Sequence, residues 1–411
     1  MNLGHCRFCG TQLRYTFVDL GVSPLANSYL TTCQLQQEAS LYPLHAYVCE
    51  HCFLVQLEEF ASAECIFKHY AYFSSYSDTW LQHARSYADM VVERFGLDEH
   101  SQVIEIASND GYLLQYFVAK GMHVLGIEPA ANVAETALQK GIRTVVQFFG
   151  EAMARQLIAN GAQADLLIGN NVLAHVPQLN DFVKGMKIVL HPRGVITLEF
   201  PHLMRLMAEN QFDTIYHEHF SYFSLITVDK ILTEHGLTVF DVEELSTHGG
   251  SLRIYARHAE DPSKPISRRV TELRAREESV GFACLAHYLS FADTVQETKR
   301  QILDFLVQVK QQGKSIVGYG APAKGNALLN YCGIHPDTLS YTVDRSPHKQ
   351  GRFLPGTHIP IYHPEHIRLT SPDYLLILPW NLKDEIMEQM AYIRQWGGQF
   401  VVFIPEVRSY S

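Results

Sequence analysis

Four cysteines stand in two tight pairs, Cys6-x-x-Cys9 and Cys49-x-x-Cys52. Two such pairs supply four thiolates at the corners of a tetrahedron, which suits a structural zinc and leaves no open position for metal catalysis. Gly10, directly after Cys9, frees the backbone to wrap around the ion. His5 and His51 adjoin the pairs as alternative ligands, and a disulfide-linked hairpin is the competing use of the thiols. Cys33, Cys65, Cys284 and Cys332 are scattered. A second concentration of chemistry is Tyr216-His217-Glu218-His219. An HxH run in a strand would put both imidazoles on one face for a metal, but the helical HExxH spacing is absent. Proton transfer is the stronger reading, because imidazole titrates near neutral pH and an adjacent carboxylate orients or stabilises it. His248-Gly249-Gly250-Ser251 is a further polar cluster. Its glycines admit a ligand close to the backbone, or simply turn a hairpin.

Elements that would position these groups follow a regular rhythm. Short strands are expected at 15–19, 45–48 and 53–57, in a unit too poor in apolar residues to fold without its metal. A Tyr- and Ser-rich stretch leads to a helix over 79–95 with Asp78 as its N-cap. Strands at 103–106, 123–127, 144–146, 166–168 and 194–199 then alternate with helices, including 112–119 and 133–140. That alternation predicts a doubly wound parallel sheet. A polar, Pro-containing boundary at 261–265 precedes a mainly helical 266–312 and a second α/β unit with strands near 315–320, 340–343, 374–377 and 400–403.

The first strand of the first sheet opens a tight turn, Glu105-Ile106-Ala107-Ser108-Asn109-Asp110-Gly111. It is not the GxGxxG of dinucleotide sites. It is similar to the acidic-x-Gly-x-x-x-Gly turn of class I S-adenosylmethionine methyltransferases, with Ala107 in place of the first glycine. Glu128, ending the second strand, is placed to accept ribose hydroxyls. Phe149 follows the third strand as a cover for adenine, and Asn170 ends the fourth beside the methionine portion. In the second unit, Gly318-Tyr319-Gly320 after a strand is a dinucleotide cue, with Asp344 as its ribose carboxylate. The same loop carries Lys324, and Arg345 and Lys349 follow another strand end, so three cations are expected to converge on a pyrophosphate.

Composition narrows the class of protein. The 411 residues suit two or three domains, and 47% hydrophobic with 18% charged residues allows a large core. Thirty-three Lys and Arg against 43 Asp and Glu give a net charge of −10, which argues against nucleic acid or an anionic membrane as partner. No apolar run reaches the roughly 20 residues of a membrane span, and the N-terminus lacks the features of a signal peptide. A soluble, cytoplasmic chain is expected.

In order along nearly its whole length, the chain resembles the bacterial NDP-sugar C-methyltransferases, the C-3 methyltransferases of tetronitrose, mycarose and virenose pathways. The cysteine pairs, the Tyr-rich stretch, the 105–111 turn, residues 211–221 and 248–251, Gly318-Tyr319-Gly320-Ala321-Pro322-Ala323-Lys324-Gly325-Asn326 and Ile377-Leu378-Pro379-Trp380-Asn381 carry the resemblance. It implies a class I methyltransferase Rossmann-like domain (71–258) between a zinc-binding domain (1–70) and a C-terminal α/β domain (259–411) that helps to hold the nucleotide sugar. Zinc by Cys6, Cys9, Cys49 and Cys52, and S-adenosylmethionine by Glu105, Ala107, Asn109, Gly111, Glu128, Phe149 and Asn170, complete the cofactors. The implied substrate is an NDP-linked 4-keto-6-deoxy sugar, with dTDP as carrier, methylated at C-3 through an enolate. His219 is expected as base, Glu218 as its support and Tyr216 on the ketone oxygen. Tyr72 (with Tyr70 the alternative) and His175 are implied to face the sugar, and His248, Gly249, Lys324 and Arg345 to bind it. An O- or N-methyltransferase of another small molecule, an NAD-dependent oxidoreductase and a non-catalytic zinc-ribbon module remain the competing readings.

Overall fold

A computed structural model describes residues 4–60, 62, 64 and 73–411. Tyr70 and Tyr72 lie outside the described residues. Strands β1 (Tyr15–Ser23), β2 (Tyr42–Val48) and β3 (Val55–Leu57) form an antiparallel meander. Along β2, Leu44, Ala46 and Val48 point into the core at every second position, the period of a half-buried strand. This unit does not rest on metal alone. Phe17 stacks on Phe291 at 4.7 Å and shares one core with the C-terminal domain.

Helix α1 (Asp78–Phe95) is capped by Ser77, whose hydroxyl accepts the Trp80 N–H at 3.3 Å. The cap thus falls one residue before the expected Asp78, because Ser77 has the extended backbone a cap requires.

The central sheet contains β4 (Gln102–Ile106), β5 (His123–Ile127), β6 (Thr144–Val145), β7 (Ala164–Asn170) and β8 (Leu190–Pro201). The next strand, β9 (Ser221–Tyr222), leaves this sheet, and β10 (Leu237–Leu245) and β11 (Ser251–His258) return to it as a hairpin. Its order is β10-β11-β8-β7-β4-β5-β6, with β11 antiparallel to both neighbours. This is the class I methyltransferase fold. β4 and β7 run parallel, but the order of successive strands reverses between them, so a crevice opens at their carboxyl ends. β9 instead pairs antiparallel with β3, which makes the segment carrying His219 the edge of the zinc-unit sheet.

Helices α2 (Arg268–Val280) and α3 (Phe291–Gln311) lead to the third sheet. It contains β12 (Ile316–Tyr319), β13 (Thr342–Val343), β14 (Ile361–Tyr362), β15 (Tyr374–Ile377), β16 (Gln399–Val402) and β17 (Arg408–Tyr410). Its order is β14-β13-β12-β15-β16-β17, with only β17 antiparallel. Five parallel strands therefore follow the same order in both α/β units.

Candidate active site

The crevice above β4 and β5 is shaped by backbone as much as by side chains. After β4, Ala107 and Asn109 both take left-handed backbone, with φ of 57° and 51°. Asn tolerates this region, whereas Ala is strained there by roughly 1 kcal/mol. Gly111 has no alternative: a Cβ would lie 2.3 Å from Ile142 Cδ1. Glu128 ties the turn to β5, accepting the Asn109 N–H on one oxygen and the Ala130 N–H on the other, both at 2.9 Å. A carboxylate has about four lone-pair sites, so each oxygen can still accept a hydroxyl. Glu105 is fully buried beneath the turn, and burial followed by the charge of Glu128 pushes its carboxyl well above the ordinary range. Segment 73–76 crosses over the turn, with Ser74 N–H donating to Asn109 Oδ1 at 3.0 Å. Asn170 ends β7 with a buried Oδ1 that meets no donor among the described residues. Phe149 presents its ring edge-on to Phe182 at 5.4 Å, against the helix that follows β7.

Next to this crevice the Tyr216–His219 stretch forms a tight non-strand turn. The one-face placement that an HxH strand would give does not arise in this turn. His217 Nε2 donates to the Pro43 carbonyl at 3.1 Å, whereas His219 Nδ1 donates to the Thr214 carbonyl at 2.8 Å. Because a carbonyl only accepts, Nδ1 of His219 carries the hydrogen and Nε2 is its lone-pair nitrogen. The Tyr216 hydroxyl lies 2.9 Å from that Nε2 and donates to it. The His175 ring stands edge-on to His219 at 4.7 Å. Burial first, then His175, holds His219 well below its ordinary range, and burial takes His175 to about 4. Glu218 runs the other way, pushed up to about 7 by burial despite a 2.6 Å hydrogen bond from Asn27 Nδ2. The result is a neutral imidazole dyad with one lone pair directed by a tyrosine.

Two further segments close on this cluster. His248 has a left-handed backbone with φ of 56°, and its ring meets Trp80 edge-on at 5.0 Å. Gly249 packs under Trp380, where a Cβ would be 2.4 Å from Cη2. Trp380 Nε1 donates to Asp213 Oδ2 at 2.7 Å, and Lys324 Nζ sits 4.6 Å from the Trp380 ring centre while donating to Asn381 Oδ1 at 2.9 Å. Burial pushes the Asp213 carboxyl up to about 6 against the pull of Lys324.

The three expected cations do not converge. Lys349 Nζ donates to the Ala321 carbonyl at 2.9 Å, lies 3.5 Å from Asp344 and sits 5.3 Å from the Tyr29 ring centre. Arg345 is 64% exposed and faces Glu385 at 4.0 Å. Only Lys324 reaches the histidine cluster, because its helix Ala323–Cys332 packs on the 212–214 turn.

The four cysteine sulfurs lie within 4.8 Å of one another, with Cys6–Cys52 and Cys9–Cys49 at 3.5 Å. Zinc–sulfur bonds of about 2.3 Å give tetrahedral edges of about 3.8 Å, so the set fits one zinc. The two loops repeat one device: Gly10 N–H donates to the Cys6 carbonyl and Phe53 N–H to the Cys49 carbonyl, each at 2.9 Å, with both residues left-handed. His5 and His51 do not belong to the cluster among the described residues. Gln56 on β3 donates to Cys6 Sγ at 3.2 Å, and its neighbour Leu57 N–H donates to the Phe220 carbonyl at 3.0 Å. A closed metal loop thus holds the strand against which the residue after His219 is registered.

Asn27, Asp213 and the anchoring role of Trp380 were not legible as site features in the sequence. Asn27 lies 191 positions from Glu218 and has no periodic or motif signal of its own. Trp380 belongs to the Pro379-Trp380-Asn381 run, and its indole N–H is the one signal there for a buried acceptor.

Three family models match the chain in succession: a zinc binding domain over residues 6–67, a methyltransferase domain over 80–242, and a C-methyltransferase C-terminal domain over 246–405. The C-methyltransferase NovU of Streptomyces niveus is 36% identical over 409 residues, covering 100% of this chain and 97% of the relative. Among solved structures, magnesium protoporphyrin IX methyltransferase ChlM of Synechocystis PCC 6803 with bound SAH is 18% identical, with a TM-score of 0.35, over 43% of this chain and 82% of its own. An S-adenosylmethionine-dependent methyltransferase of Clostridium acetobutylicum ATCC 824 is 12% identical, with a TM-score of 0.34, over 43% and 92%.

Proposed function

The chain belongs to the C-methyltransferase family, and on that premise we propose that it methylates C-3 of an NDP-linked 4-keto-6-deoxy sugar through an enolate. The observation that supports this most is the Tyr216–His219 pair, a neutral imidazole with one assigned lone pair beside the cofactor crevice. Methyl transfer to oxygen needs no carbon acid, whereas transfer to carbon needs a base to remove the proton next to a ketone. His219 Nε2 is that base, Tyr216 turns from it to hydrogen-bond the ketone or enolate oxygen, and Glu218 steadies the imidazolium formed. His175 faces the sugar, a role that the family resemblance alone gives Tyr72, and His248 and Gly249 border it. Arg345, exposed at the rim, takes the diphosphate, for which dTDP is the first carrier to test.

S-adenosylmethionine supplies an electrophilic methyl group. Glu128 holds its ribose while Asn109 and Gly111 give it close backbone approach over Ala107 and Glu105; Asn170 and Phe149 flank the methionine and adenine ends. The four-thiolate zinc is structural, and thiolate ligands suit a reducing cytoplasm. No helix among the described residues is long and apolar enough to cross a membrane.

Turnover of S-adenosylmethionine with TDP-, GDP- and CDP-linked 4-keto-6-deoxy sugars, each beside its 4-hydroxyl counterpart, tests this reading. Turnover restricted to the ketones is expected. Equal turnover on the alcohols would replace it with O-methylation.

A further inference from the structure

Resting on that substrate reading, we infer that Lys324, from the C-terminal domain, is a catalytic residue whose ammonium stabilises the enolate oxygen at C-4, and not a ligand of the diphosphate. The geometry separates two kinds of cation. Arg345 is 64% exposed and opposite Glu385, in an environment where a doubly charged diphosphate keeps much of its hydration. Lys349 is committed to the Ala321 carbonyl and Asp344. Lys324 alone points inward, over the face of Trp380 and against Asn381.

Trp380 fixes where that inward cation lies. Its N–H holds Asp213, six residues before His219, and its ring edge abuts Gly249, next to His248. Both histidine-bearing segments therefore rest on the indole whose face carries the ammonium. Burial, with Lys324 itself among the causes, holds His219 and His248 below their ordinary range, so the imidazoles are neutral in the resting site. A neutral base that takes a proton from C-3 becomes an imidazolium beside that carbon, so the negative charge that appears on the C-4 oxygen calls for a cation of its own. A cation held by an aromatic face and an amide, rather than by a carboxylate at contact distance, keeps its field available to that oxygen.

The step balances without an outside reagent. As substrate binds, the Tyr216 hydroxyl turns from Nε2 of His219 to the ketone oxygen; the C-3–H bond then breaks, its proton goes to the freed Nε2, and its electron pair becomes the C-3=C-4 bond. The carbonyl π pair moves onto the C-4 oxygen, where Lys324 meets it.

Solvent deuterium incorporation at C-3 of dTDP-4-keto-6-deoxyglucose, followed by NMR with S-adenosylhomocysteine bound, isolates this step from methyl transfer. Lys324→Met is expected to slow exchange about 100-fold, and Lys324→Arg to recover part of it. Calorimetric affinity for the nucleotide sugar should stay within about threefold of the parent, since the lost interaction forms only with the enolate. Lys324→Gln, which keeps a donor for Asn381, repeats the test if the methionine variant melts early or loses S-adenosylhomocysteine. Exchange at the parental rate in the neutral variants overturns the inference, as does a loss of affinity with saturated exchange intact, which would return Lys324 to the diphosphate. Absence of exchange in the parent enzyme overturns the substrate reading as well, so the two failures are distinguishable.

Discussion

The two α/β units solve the same local problem with the same bonds. In the methyltransferase unit, Glu128 at the end of β5 accepts the N–H of Asn109 in the turn after β4 and the N–H of Ala130 two residues on. In the C-terminal unit, Asp344 just past β13 accepts the N–H of Ala321 in the turn after β12 and the N–H of Ser346 two residues on, both at 2.8 Å. What differs is what lies on top. Glu128 keeps spare lone pairs on its crevice side, with no cation against it among the described residues. Asp344 is met by Lys349 at 3.5 Å, and the Tyr29 hydroxyl donates to the Ala321 carbonyl at 2.5 Å. Asn326 Nδ2 also donates to the Ala26 carbonyl at 2.6 Å, so the 26–30 loop of the zinc unit is seated over the second turn. One turn is left for a ligand; its twin is used as a joint between domains. Fold order and a glycine turn are thus insufficient to assign a nucleotide site, and the NAD reading of the second turn loses its ribose acceptor to a lysine.

Substitutions at the two carboxylates should break this symmetry. Asp344→Asn leaves Lys349 without its charge partner and is expected to cost about 2–4 kcal/mol of stability, read as a lower unfolding midpoint, with S-adenosylmethionine affinity unchanged. Glu128→Gln should do the reverse: about 1–3 kcal/mol of S-adenosylmethionine affinity lost by calorimetry, with little change in unfolding. The joint can also be probed from its own loop. Asn27 favours the ionised form of Glu218 by donating to it, so Asn27→Ala should raise that carboxyl further. If the carboxylate form supports His219, kcat/KM falls as pH drops through about 7 in the parent. In the variant the same limb moves alkaline by roughly 0.5–1 pH unit, checked by a pH profile. Smallest is Ala107→Gly, which relieves a φ of 57° and should raise stability by about 0.5–1 kcal/mol. Gly320→Ala in the twin turn should be destabilising, because the Cβ would sit 2.5 Å from Pro379 Cδ.

Local signals carried much of this in the sequence. Paired cysteines, the alternating strands and helices, and the acid–turn–glycine run after β4 each depend on neighbours within a few residues, and each forms where expected. Features made by domain docking were not legible. The inward turn of Lys324, the capture of Lys349 by Asp344 and the Asn27–Glu218 bond depend on segments far apart in the chain. The two-residue strand β9 is too short to show a period, yet it decides which sheet positions His219. The HxH spacing is silent for the same reason: the run folds as a turn, where alternation no longer predicts a shared face.

The central claim is that the methyl group ends on carbon. The direct measurement is NMR of the product formed from ¹³C-methyl-labelled S-adenosylmethionine and dTDP-4-keto-6-deoxyglucose. The account predicts a labelled methyl coupled to C-3 of the sugar with the C-4 ketone retained. A label on oxygen or nitrogen, in a product formed at the same rate by His219→Asn, would contradict it.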